Sequence, residues 1–248
     1  MLRFLAAGVA AWCLLCSPVA MAQLSAGDIA FVAYNSDGSN DFAWVALRRI
    51  PACTEIHFTD MSVSNRGFRL SEHFNLTDHG PLTWRHTNAV EAGTVVRWMG
   101  GAPGAWSRGQ ATGGAPNLSA DGDQLIAYCG VIVSNTAFSA PWIGDAAGAT
   151  LLHAINFANS GWDNVTGGSA NKSFVPPGLS TNAGTAVHVA NKDNGYYSGT
   201  SSGTAAKLLA AIANPANWTT SDSLFEAAHW SGETAFHVNS GGTVLSVR

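Results

Sequence analysis

Residues able to do chemistry are thinly spread in this chain, and a few groups have a spacing worth reading. Asn35, Asp37, Ser39 and Asp41 alternate around Gly38 and offer oxygen atoms over seven residues. Hard cations such as Ca2+ take six to eight oxygens. With Asp60 and Glu72 as more distant ligands, this stretch is a candidate calcium site. The same residue types also suit a plain hairpin turn, because Asn, Asp and Gly tolerate left-handed backbone.

Residues 199–203 read G-x-S-x-G, and Ser201 is followed by Asp222 and His237 in the chain order of an α/β-hydrolase triad. That motif wants a buried apolar strand before it, whereas residues 191–197 are polar, and the βαβα alternation of that fold is missing. An extracellular serine hydrolase using Ser201, Asp222 and His237 is therefore the alternative reading. His73, His79 and His86 lie six and seven residues apart, without the short spacing of zinc sites, and read as loop histidines. Trp98, Trp106, Trp142 and Trp162 sit beside glycine, proline or polar loop residues. Exposed there, they would form a platform for a sugar or another flat ligand; turned inward, they would plug the core.

The start of the chain says where these groups work. Arg3, an apolar run from Phe4 to Cys16, and Ala20-Met21-Ala22 before Gln23 have the order of a secretory signal peptide over residues 1–22. The apolar run is too short to cross a bilayer as a helix. The remainder, residues 23–248, is expected as one exported domain without a membrane span, in the periplasm, at the cell surface or beyond it. Cys13 and Cys16 leave with the signal, and Cys53 and Cys129 remain. Two cysteines in an exported chain read as one disulfide. It would close a loop of about 76 residues and contribute roughly 4 kcal/mol.

Charge narrows the partners. The net charge is −4, and losing Arg3 makes it one unit more negative. Charged residues are only 11% of the chain, and no lysine or arginine run exists to follow a phosphate backbone. Nucleic acid is not an expected partner.

The elements that must position these residues are short strands. Glycines, 27 in all, combine with Ser, Thr and Asn to punctuate apolar segments. Strands are expected over 28–34, 42–47, 55–60, 81–85, 94–99, 123–128, 151–157, 186–189 and 243–247. In 55–60, Ile56 and Phe58 face one way and the polar residues the other. Only residues 204–213 argue for helix, being rich in alanine and leucine and stopped by Asn214-Pro215. The fold class is mainly β, an antiparallel β-sandwich with one short helix toward the C-terminal third.

Several segments, among them GDIAFVAYNSDG, EIHFTD, ADGDQLIAY and IANPANW, together resemble a bacterial exported module of lamin-tail-like β-sandwich type. The resemblance covers nearly all of residues 26–220, with FTD, GDQ and PANW its most specific parts. It implies an exported β domain without chemistry of its own, and a Cys53–Cys129 bridge particular to this chain. The leading functional expectation is non-catalytic: binding an extracellular polymer or glycan, or self-assembly.

Overall fold

A seven-residue run, Ile29–Asn35 (β1), is buried from end to end. A strand can be so only if both of its faces are covered. In the computed structural model, which describes residues 23–64, 67–69, 81–100, 104–135, 137, 144–163, 171–223 and 235–239, β1 lies inside a six-stranded antiparallel sheet. Its neighbours are β2 (Asp41–Ala46), which returns through the Asn35–Asp41 turn, and β13 (Asn194–Tyr197). Beyond them come β7 (Val95–Met99) and β8 (Ala105–Trp106) on one side and β15 (Trp218–Ser221) on the other, in the order β15-β13-β1-β2-β7-β8.

The second sheet has the order β4-β5-β11-β10-β3-β6-β9. Its members are β4 (Val63–Ser64), β5 (Gly67–Phe68), β11 (Gly144–Asn156), β10 (Gln124–Ser134), β3 (Glu55–Thr59), β6 (Leu82–Arg85) and β9 (Gln110–Thr112). β12 (Ala186–His188) adds in parallel to the end of β11. The two sheets face each other across an aromatic core. Phe31 meets Phe58 edge-on at 6.1 Å, and Trp44 meets Trp84 edge-on at 5.1 Å. Each such buried side chain contributes roughly 1.5–3 kcal/mol. A small pair, β14 (Ser202–Thr204) with β16 (His237–Asn239), stands apart from both sheets.

Two further layers close the outer faces. Helix α1 (Ala205–Ile212) covers β1 with Leu208 and Ile212. Thr204 caps its N-terminus by accepting from Lys207 N, as a threonine at that position should. Its C-terminal carbonyls are met by side chains: Asn217 Nδ2 donates to Ala211 O and Trp218 Nε1 to Ile212 O, each at 2.8 Å. On the far side of the second sheet, Met61, Val63, Phe68, Ile126, Tyr128 and Leu151 form a separate apolar cluster.

The fold is thus mainly β, a sandwich of antiparallel sheets with one short helix, as the sequence leads one to expect. β10 and β11 are longer than expected over 123–128 and 151–157, because they run on as a hairpin to Ser134 and Gly144 whose outer part is mostly exposed and carries only a short apolar run. Gly130, which reads as a turn, lies within β10 at φ +87°, where a Cβ would come within 2.3 Å of Gly148 O. The expected strand over 243–247 lies outside the described residues, as do the signal segment, Glu72, His73, His79 and Trp142. Among the described residues, no helix is long and apolar enough to cross a membrane.

Candidate functional site

The three hydrolase candidates are held apart. Ser201 and His237 are neighbours through their backbones, His237 N donating to Ser201 O at 2.7 Å, where β14 runs beside β16. Asp222 follows β15 at the end level with Asn194, whereas Ser201 follows the other end of β13, beyond Tyr197. A four-residue strand separates those ends, about 13 Å at 3.3 Å per residue. Asp222 pairs instead with Lys192, Oδ2 to Nζ at 2.5 Å. A nucleophile, base and orienting acid must share one hydrogen-bonded chain, and these residues do not form one.

The acidic turn spends its oxygens on itself. Asp41 Oδ2 accepts from Ser39 Oγ and, at 3.3 Å, from Asn35 Nδ2, while Asp41 Oδ1 accepts from Gly100 N at 2.5 Å. Asp37 N donates to Asn35 Oδ1 at 2.8 Å, the local bond that makes an Asx turn. Asp60 lies elsewhere, its Oδ2 accepting from Asn117 N at 2.7 Å. Among the described residues, no group of three or more His, Cys, Asp or Glu could hold a metal ion. Near the turn, Asp193 has its carboxyl pushed upward by burial and by the Asp222 and Asp37 carboxylates, with Lys192 opposing.

The tryptophan platform requires correction. Trp98 and Trp106 are only 4% and 7% exposed and lie 5.1 Å apart, with Trp106 packed on Phe42 and Phe58. They plug one end of the core, where indoles bury the most area. Trp162 is half-buried against the outer apolar cluster. The cysteine pairing is also corrected. Cys129 is a free, half-buried thiol whose Sγ lies 3.2 Å from Glu55 O. Burial, then Asp28 and Glu55, push its pKa up to about 12. Cys53 sits in a turn at φ +61° and is itself disulfide-bonded, and because Cys129 is free the two are not bridged to each other in this structure.

The segments most specific to the resemblance do structural work. Gln124 Nε2 donates to Asp60 O and, at 2.8 Å, to Asp123 Oδ1. Asp123 Oδ2 accepts from Ser119 N at 2.9 Å. FTD and GDQ thus clamp the loop at 117–119 onto the sheet. The PANW segment supplies the two side chains that finish α1.

What remains as a site is a groove of about 730 Å3 on the outer face of the second sheet. Val63, Phe68, Ala146, Leu151, Val175 and Pro177 line it, with Ser25, Ser64 and Thr150 among its hydroxyl groups. Its carboxylate, Asp145, accepts from Asn135 Nδ2 and Ala147 N, each at 2.8 Å, which holds its pKa below the usual carboxylate range. Among the described residues, no histidine, lysine or cysteine lines the groove. It can enclose apolar surface and make a few hydrogen bonds, with the Asp145 carboxylate already engaged by Asn135 and Ala147. The sequence signal for it was the run of small residues at 144–149, which leaves a trough where larger side chains would fill the sheet face. Compared with known proteins, the chain matches no family model, no curated protein and no solved structure.

Proposed function

We propose that this is an exported, non-catalytic binding module that takes an extended polymer, a glycan or an unfolded peptide, in the groove beside β11. The carrying observation is the groove itself: concave, mostly apolar and edged with hydroxyls. Concave apolar sites with a few placed polar groups are the usual form of ligand pockets. The likeness of the chain to lamin-tail-like exported modules and its signal-like first 22 residues support the same reading.

Affinity electrophoresis tests the proposal, using gels that contain dextran, xylan, hydroxyethyl cellulose or gelatin. The protein is expected to be retarded by at least one polymer. Ala147→Trp, which fills the trough, should abolish the retardation while leaving the melting temperature within a few degrees. Unaltered mobility in all four gels, or retardation that survives Ala147→Trp, would sink the idea. Ser201→Ala should leave any background ester hydrolysis unchanged, which separates binding from the serine-hydrolase alternative.

A further inference from the structure

The β10–β11 hairpin reaches past the sandwich. β3 pairs with β10 only at Ile126, Ala127 and Tyr128, and in that register the first residue of β3, Glu55, is level with Gly130. From Val131 to Ser134, β10 has no strand partner on that side among the described residues. Side chains alternate along a strand. Ile126, Tyr128 and Ile132 belong to the outer apolar cluster, while Leu125, Ala127 and Cys129 pack against the inter-sheet core. Val131 and Val133 therefore continue the inner face beyond the point where the first sheet ends. They are 59% and 50% exposed, two of the three large apolar side chains that stand exposed among the described residues.

An open strand edge with an apolar face is a template for another strand. Natural edges are commonly blunted by lysine or another charge, but residues 130–134, Gly-Val-Ile-Val-Ser, carry none. The stretch is also its own complement. Two copies paired antiparallel about Ile132 place Val131 of one opposite Val133 of the other, twice, with the pairing ending beyond them because Glu55 of β3 is level with Gly130. No charge opposes a like charge, and four exposed valines cover one another. A patch that matches itself under a two-fold rotation makes a closed dimer, the commonest homo-oligomer.

We infer that the β10 edge at Val131–Val133 is a homodimer surface, at which a second copy of this chain pairs antiparallel about Ile132. The contact is short. Interfaces well under about 1,000 Å2 are weak ones, so the dimer is expected to dissociate in the micromolar range. The groove faces the opposite side of the sheet and stays open in the dimer, so this inference does not depend on polymer binding.

Cysteine cross-linking tests the register. Val131→Cys and Val133→Cys are made as separate variants of the full exported chain and oxidised mildly, each alone and as an equal mixture. Antiparallel pairing about Ile132 brings Cβ atoms of opposed residues within about 5 Å. A bridged dimer on a non-reducing gel is therefore expected in the mixture only; the separate variants carry the same native cysteines and serve as controls. Bridging in neither sample, or equally in each variant alone, would overturn the inference. Sedimentation gives a second reading. Wild type should show a reversible monomer–dimer equilibrium, and Val131→Lys with Val133→Lys should raise its dissociation constant at least roughly tenfold, since like charges then oppose. A wild type that stays monomeric up to about 100 µM, well above a micromolar dissociation constant, or that forms open filaments, overturns the two-fold dimer. If the lysine variant fails to fold, the cross-linking mixture still decides.

Discussion

His153 is sealed between the sheets, fully buried, 5.7 Å from the Phe31 ring, and its Nδ1 accepts from Phe31 N at 3.4 Å. Burial drives its pKa from 6.5 down to about 3, and a backbone contact with Gly184 offsets only part of that. The unfolded chain binds the extra proton between those two values, so stability rises with pH across that window. The contribution is complete above pH 6.5 and is lost as pH falls toward 3. At pH 4 the loss is about 3 kcal/mol. Urea unfolding at pH 7 and pH 4 should show it, and His153→Leu should flatten the difference whatever its effect on absolute stability. Cys129 makes the second prediction at this scale. A thiol held near 12 is scarcely ionised at pH 8, so Ellman's reagent should react with it at least about a hundredfold more slowly in the folded protein than in urea. His153 did not stand out in the sequence, and Cys129 stood out only as a bridge partner. LLHAINF reads as an ordinary strand, and the burial of its histidine depends on β1, whose bulge between Phe31 and Ala33 lies some 120 positions away.

Elements differ in how far local chemistry determines them. The helix was legible because its signals are adjacent: Thr204 caps, alanine and leucine fill, and Asn214-Pro215 stops it. The role of Trp218 was hidden, since an indole closing the carbonyl of Ile212 is a tertiary contact. Trp218→Phe keeps most of the ring and leaves that carbonyl unpaired, which should cost about 1–2 kcal/mol. For a domain of this size, thermal unfolding should then shift down by roughly 2–6 °C. The turn at Asn35–Asp41 shows the converse ambiguity, because metal loops and hairpins draw on the same residues. Here Asp41 is already saturated by Ser39, Asn35 and Gly100, so millimolar calcium added to chelator-treated protein should leave the melting temperature unchanged; an upward shift would restore a cation to that loop. The loop tryptophans misled for a related reason. Glycine and proline beside Trp98 and Trp106 mark tight corners, and a corner can send an indole inward as readily as outward.

Across the whole molecule, apolar surface is closed off in four layers: α1, the first sheet, the second sheet, and the segment near 171–187 that lies on the outer cluster. The period-two pattern of Ile56 and Phe58 was sufficient for a sandwich, while the extra layers were not readable, because a strand covered on both faces loses its alternation. The β1–β13 pairing carries a kinetic consequence. The first strand among the described residues finds one of its two neighbours only when residues 194–197 arrive. At 5–20 residues per second, that is a delay of roughly 10–30 s on the ribosome. Through that interval one edge of Ile29–Asn35 has nothing beside it, so the nascent chain stays unfolded along that strand and open to chaperones. Moving β1 to the C-terminus by circular permutation would shorten the wait and should make the chain fold sooner.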